Sequence, residues 1–287
     1  MLANLIATGL PIALILVMTG VGLGLTRADF ARVIQQPKGF LIGAACQMLL
    51  LPLTALLIIE VLGLTGGVAI GLFIIALCPG GSTSNLYSVL AKADVGLSVS
   101  LTAVIGFITP FTIPVLGAWA VSHYGSQGSG IELPLAKTFI QLLTVGVVPV
   151  IIGMMIRARW SQLAQRAEPW VNRFSVLVLA LVIIAICVQL GPKLGAAASA
   201  AGPAALLLNL VTMAAGYLIG KSLLQREAQA RTIALEVGLQ NGTMALMITS
   251  AILQNAEMSM APIVYSLLMF ATATLFTLVV GRKPVHD

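Results

Sequence analysis

Apolar residues run through this chain in long blocks, without the alternation of a half-buried strand or the narrow stripe of a surface helix. Blocks of about 20 such residues are what a helix needs to cross the hydrocarbon core of a bilayer. They predict nine helices, over 4–25, 40–61, 67–90, 95–121, 136–156, 174–191, 203–221, 232–253 and 260–281. A small-residue stretch, Gly195–Gly202, is expected to separate the sixth from the seventh. The first block has no basic stretch before it and continues to about Leu25, longer than the apolar part of a secretory leader, so it reads as a retained helix. The fold class expected is an all-α integral membrane protein.

Composition supports lipid as the solvent. Of the 287 residues, 59% are hydrophobic and 8% are charged, with a mean hydropathy of +1.06. A soluble domain carries about a quarter charged residues, so this chain could not cover a surface facing water. The 28 glycines suit close-packed membrane helices. The net charge of +6 does not point to nucleic acid, because the basic residues stand between apolar blocks instead of forming a patch. Assigning the loops alternately to two sides places Arg27, Arg32, Lys38, Lys92, Arg157, Arg159, Arg166, Arg173, Lys221, Arg226, Arg231, Arg282 and Lys283 on one side. Only Lys137 and Lys193 fall on the other. A wrong helix count would scramble that segregation, so the positive-inside rule predicts nine spans, the N-terminus outside and the C-terminus cytoplasmic. The segment Arg157–Arg173 is expected to lie as a short amphipathic helix on the inner leaflet. Cys46, Cys78 and Cys187 fall inside apolar blocks at spacings that match no zinc or redox motif, and read as small buried hydrophobes.

Two blocks are interrupted. The third contains Cys78-Pro79-Gly80-Gly81-Ser82-Thr83-Ser84-Asn85, and the eighth Glu236-Val237-Gly238-Leu239-Gln240-Asn241-Gly242-Thr243. Proline and glycine at that depth free backbone groups from the helix ladder. Both interruptions begin alike, as Ala76-Leu77-x-x-Gly80 and Ala234-Leu235-x-x-Gly238. On the nine-helix count the two broken helices run in opposite directions, as an inverted repeat requires, and transporters bind substrate and coupling ion where such helices meet.

Among the nine acidic residues only Glu236 sits well within a predicted span, and it sits at a break. Asp29, Asp94, Glu168, Glu227 and Asp287 belong to segments on the basic side, and Glu60, Glu132 and Glu257 stand near the opposite face. An ionised carboxylate in hydrocarbon costs at least about 2.5 kcal/mol, so Glu236 needs a wet cavity, a cation or a proton. Around it the sequence offers neutral oxygen: Ser98 and Thr102, four apart on one face of the fourth helix, Ser100 beside them, Gln47 five residues before Pro52, and the amides of Asn85, Gln240 and Asn241. One carboxylate among neutral oxygens suits Na⁺ better than Zn²⁺; proton coupling through Glu236 stays open. No Ser/His/Asp arrangement suggests an enzyme, since His123 and His286 lie in an outer loop and at the C-terminus. A receptor that binds its ligand without moving it is the remaining different class.

Gln47 through Pro52, the run Pro79–Asn85, Ser98-x₃-Thr102 and Glu236–Asn241 resemble, in order and separation, the bile acid:sodium symporter family. The resemblance extends from about Gly20 to Val280. It implies two crossing broken helices in a core domain (about 40–121 and 203–281) and a smaller panel domain (about 4–25 and 136–191), in a nine-helix form lacking the first helix of ten-helix members. It implies two sodium sites, one using Ser84, Asn85, Ser98, Thr102 and Glu236. The other would use Gln47, Glu236, Gln240 and carbonyls around Val237 and Leu239. Substrate would sit in the crevice between core and panel, where Ser82 and Asn241 offer hydrogen bonds and half-helix N-termini favour a carboxylate or sulfonate. The implied function is sodium-coupled import of an organic anion by alternating access, with a proton-coupled or exchange carrier of the same superfamily as the alternative. Several members carry a His-Asn pair facing substrate in the last helix, where this chain has Met269-Phe270. A small organic acid is therefore as good a candidate as a bile acid. Oligomeric state is left open.

Overall fold

The computed structural model describes residues 2–125 and 133–281; Glu132, Arg282, Lys283, His286 and Asp287, named above, lie outside them. The described chain is a succession of helices: α1 (Leu2–Gly24), α2 (Arg27–Gln35), α3 (Pro37–Val61), α4 (Gly66–Leu77), α5 (Thr83–Leu90) and α6 (Val95–Tyr124). After these come α7 (Leu135–Arg159), α8 (Ser161–Leu190), α9 (Leu194–Leu224), α10 (Glu227–Gly238), α11 (Gly242–Ile252) and α12 (Met260–Val280). Among the described residues the sole β pairing is an isolated antiparallel bridge between Gly80 and Gln240. By length and composition five of the described helices could cross a membrane, or six if the pair α1–α2, bent by 70° at residues 25–26, counts as one span. The halves of the two interrupted blocks are each too short to cross alone: 12 and 8 residues for α4 and α5, 12 for α10 and 11 for α11.

The surface is that of a protein dissolved in lipid. Leu49, Leu53 and Leu57 of α3, Leu177, Leu181 and Ile184 of α8, and Leu267, Leu275 and Leu278 of α12 all point outward, while Arg231 and Glu236 are buried. Close helix packing comes from missing side chains: a Cβ on Gly22 of α1 would run into the backbone of α7 at Val150, so these two helices approach backbone to backbone. Along the chain, α1 packs on α7 and α8, α9 packs on α10 and α12, and α4 packs on α6.

Proline shapes the intact helices too. Pro52 and Pro149 lack the N–H that would bond four residues back. In the turn just before each, Leu51 reaches Cys46 and Val148 reaches Leu143, five residues back, which widens the helix there. The widened turn of α3 carries Gln47, whose side chain is buried.

Two boundaries differ from expectation. Gly195–Gly202 is helical, because its alanines favour helix over any turn the two glycines could offer; the chain turns instead at Gly191–Lys193, with Gly191 at φ +51°. The segment expected as a separate amphipathic helix is split at Trp160, and its second part, from Ser161, is continuous with the long helix α8.

Candidate functional site

The two breaks meet. Gly81 N–H donates to Leu239 O at 2.6 Å, and Asn241 N–H donates to Pro79 O at 2.9 Å. The chain unwound at 78–82 therefore satisfies part of its backbone on the chain unwound at 238–241, which lets non-helical backbone persist inside the protein. Side chains from neighbouring helices supply more donors. Gln47 Nε2 donates to Cys78 O at 2.9 Å. Asn209 Nδ2 of α9 donates to Gly238 O at 2.8 Å, and Tyr265 Oη of α12 lies 3.3 Å from Val237 O and 3.2 Å from Gly238 O.

Glu236, in the last turn of α10, is 2% exposed. Ser84 Oγ and Ser98 Oγ each lie 2.5 Å from its Oε1. Thr102 Oγ1 lies 3.0 Å from Oε2 and 3.2 Å from Oε1. Ser84 comes from the first turn of α5, and Ser98 and Thr102 from successive turns of α6. Asn85 joins through Ser98, whose Oγ is also 2.9 Å from Asn85 Oδ1. Gly80 makes the approach possible, since a Cβ there would collide with Glu236 Oε2.

The hydrogens in this cluster are fewer than the lone pairs of its oxygens. Ser84 Oγ stands within hydrogen-bonding distance of both Glu236 Oε1 and Gly81 O, the latter at 2.8 Å, and Ser98 Oγ faces both Glu236 Oε1 and Asn85 Oδ1. A hydroxyl has one hydrogen and two lone pairs. Gly81 O also accepts Ser84 N–H at 2.9 Å, so the three hydroxyl hydrogens mainly serve the Glu236 carboxylate and Asn85 Oδ1. Among the described residues no three His, Cys, Asp or Glu side chains gather to hold a metal.

The structure brings Gln47 and Gln240 into a second group. Gln47 Nε2 is 2.7 Å from Gln240 Oε1. Gln240 Nε2 is 2.9 Å from Val237 O and 3.2 Å from Glu236 O. Here the amide hydrogens already fill the carbonyls. Leu239 O, named with this group from the sequence, accepts from Gly81 instead. Ser82 and Asn241 line a cavity of about 240 Å³, together with Gly81, Thr83, Ser266 and Gln240 of the second group. Ser100 points away from the site and bonds Asp29 O and Gly96 O.

Sequence reading passed over Asn209 and Tyr265, and counted Arg231 only among the charges of the basic side. Arg231 is fully buried; it pairs with Glu227 at 3.1 Å and donates from Nη1 to Ala91 O at 2.9 Å. Its four-residue spacing from Glu227 was the available signal.

Among the described residues, a helical fold with an apolar exterior, and with a buried carboxylate at two paired helix breaks, is that of an integral membrane protein. A family model described as the Sodium Bile acid symporter family matches residues 11–196, more than half of the chain. The chain belongs to that family. It is 29% identical over 290 residues to human sodium/bile acid cotransporter 4, covering 96% of this chain and 64% of that protein. It is 26% identical over 233 residues to a probable sodium/metabolite cotransporter, BASS1, of rice chloroplasts, covering 81% and 56%. The "uncharacterized sodium-dependent transporter YocS" of Bacillus subtilis is 26% identical over 246 residues, covering 86% and 75%. The chain thus spans less than two thirds of the length of the first two.

Proposed function

We propose that the chain is a sodium-coupled symporter that imports an organic anion by alternating access. The observation that carries this reading is the buried Glu236 carboxylate, with the hydroxyl oxygens of Ser84, Ser98 and Thr102 within 3.2 Å of it and the Asn85 amide oxygen beside Ser98. A hard monovalent cation suits one carboxylate among neutral oxygens. One Na⁺ would be held by Ser84, Asn85, Ser98, Thr102 and Glu236. A second would lie among Gln47, Glu236, Gln240 and the Val237 and Leu239 carbonyls; to admit it, the Gln240 amide turns its oxygen inward and its N–H groups leave Val237 and Glu236. The names of the relatives, sodium/bile acid and sodium/metabolite cotransporters, support sodium as the coupling ion.

On this reading α4 with α5 and α10 with α11 are each one broken span of an inverted repeat, and the chain crosses the membrane nine times with its N-terminus outside. The packing of α1, α7 and α8 on one another supports a panel, and that of α9, α10 and α12 a core. Sodium orders the breaks and completes the substrate site at Ser82 and Asn241; the core then moves against the panel. Ions drive this shift only by binding the two arrangements unequally.

The test is uptake of labelled organic acids into proteoliposomes, with an inward sodium gradient, with equal sodium, and with a pH gradient at zero sodium. Accumulation only in the first condition is expected. Accumulation driven by pH without sodium would move the chain to the proton-coupled carriers.

A further inference from the structure

One face of α8 changes character along its length. Arg166, Trp170, Arg173, Leu177, Leu181 and Ile184 are all exposed. Steps of three and four residues hold them within about 80° of one another around the helix. The later part of this face is aliphatic, as suits hydrocarbon. The earlier part is an indole, 69% exposed, between two guanidinium groups. Tryptophan is enriched where headgroups meet hydrocarbon, and arginine side chains snorkel to that level. The Arg173 guanidinium lies over the Trp170 ring, 5.3 Å from its centre. A guanidinium held over a ring keeps its in-plane N–H groups for an oxyanion. The chain supplies none. Among the described residues neither arginine is ion-paired. The sole acidic residue of α8, Glu168, stands on the opposite side of the helix, toward α1, where a Cβ on Gly24 would come 3.4 Å from its Oε1.

We propose that this face seats an anionic phospholipid of the leaflet bordering the start of α8. Arg166 and Arg173 hold its phosphate, and an acyl chain lies along Leu177, Leu181 and Ile184. The lengths agree. From Arg173 to Ile184 the helix rises about 16 Å, close to one leaflet of a hydrocarbon core about 30 Å thick. From Arg166 to Arg173 it rises about 10 Å, enough to cross the headgroup layer. The charges select among lipids. A zwitterionic headgroup carries its own cation beside the phosphate and gains less from two arginines that lack a carboxylate; a net negative headgroup gains from both. The seat does not depend on which ion the chain couples to. Because α8 packs on α1, a lipid bound here ties that pair of helices to the bilayer.

The experiment uses the full chain carrying Trp119→Phe and Trp160→Phe, which leaves Trp170 as its single tryptophan, reconstituted in phosphatidylcholine vesicles. Brominated phosphatidylglycerol or brominated phosphatidylcholine is included at rising fraction. Bromine quenches tryptophan on contact, so the loss of fluorescence reports which lipid sits at Trp170. Each arginine is expected to favour the anionic lipid about fivefold. Phosphatidylglycerol should therefore associate about 25-fold more strongly than phosphatidylcholine with both arginines present, and about fivefold more strongly after Arg166→Gln. Arg166→Gln combined with Arg173→Gln should abolish the preference. Equal quenching by the two lipids would overturn the proposal, and so would a preference undiminished in the double variant. Quenching by neither would mean that a second copy of the chain covers this face, and would overturn it as well. The first comparison keeps both arginines, so it stands whether or not the arginine variants fold.

Discussion

At the scale of the residue, Glu236 concentrates the chemistry. Its carboxylate has three hydroxyl neighbours and lies under a glycine that leaves it room. Glu236→Gln keeps the shape and removes the charge. Without sodium the variant should unfold at or above the wild-type temperature, because a buried charge lacking its counter-ion is costly. With sodium the wild type should gain about 2.7 kcal/mol at a hundredfold excess over Kd, and the variant should gain none. Unfolding curves in sodium and potassium read both effects, and an undiminished sodium shift in Glu236→Gln would remove Glu236 from both proposed sites. Ser84 was assigned only through the family resemblance, whereas Ser98 and Thr102 were legible as partners of Glu236 because they share a helix face. Asn209 and Tyr265 were not, since which carbonyl needs a donor depends on how α9 and α12 approach the break, and no local pattern encodes that.

At the scale of the element, both broken helices were legible and the means of holding them was not. The loop between α5 and α6 is tied to the start of α10. Asp94 N–H donates to Ala228 O at 3.2 Å, Thr232 Oγ1 donates to Asp94 O at 2.9 Å, and Arg231 reaches Ala91. These ties fix the far ends of the same two segments that cross at Gly80 and Gln240. Arg231→Met should therefore destabilise the fold by about 3 kcal/mol, the cost of stripping one partner from a buried ion pair. Glu227 contributes with a defined pH dependence. Burial works to raise its carboxyl, but hydrogen bonds from Tyr217 and Arg231 and the charges of Arg231 and Lys221 outweigh it, and the group is held below its ordinary value. A carboxylate lowered in the folded state stabilises fully above its unfolded value, near 4.5, and loses that contribution as pH falls through the lower folded value. Glu227→Gln should be less stable than wild type at neutral pH, and the gap should close below about pH 4.5. Unfolding temperatures of both proteins across that range are the measurement; a gap constant with pH would assign Glu227 a packing role only.

At the scale of the whole molecule, the symporter reading needs the two broken segments to run in opposite directions through the membrane. The antiparallel bridge between Gly80 and Gln240 fixes their relative direction at the crossing. On the positive-inside rule, Lys92 at the end of the first broken segment and Lys221 and Arg226 before the second would put those ends on the inner side, the orientation proposed above. Four positions then report the arrangement. Thr65 and Glu257 flank the broken segments at one end, Lys92 and Gln225 at the other, and all four are exposed. Each would be changed singly to cysteine in a chain whose Cys46, Cys78 and Cys187 are serine or alanine, and labelled in whole cells with a membrane-impermeant maleimide. Thr65→Cys and Glu257→Cys should react from outside, and Lys92→Cys and Gln225→Cys only after the membrane is opened. Labelling of Thr65→Cys and Lys92→Cys from the same side would mean that α4 and α5 form a re-entrant hairpin. The inverted repeat would then fail, and with it a movement of core against panel around a fixed crossing, although the Glu236 cluster would remain a candidate cation site.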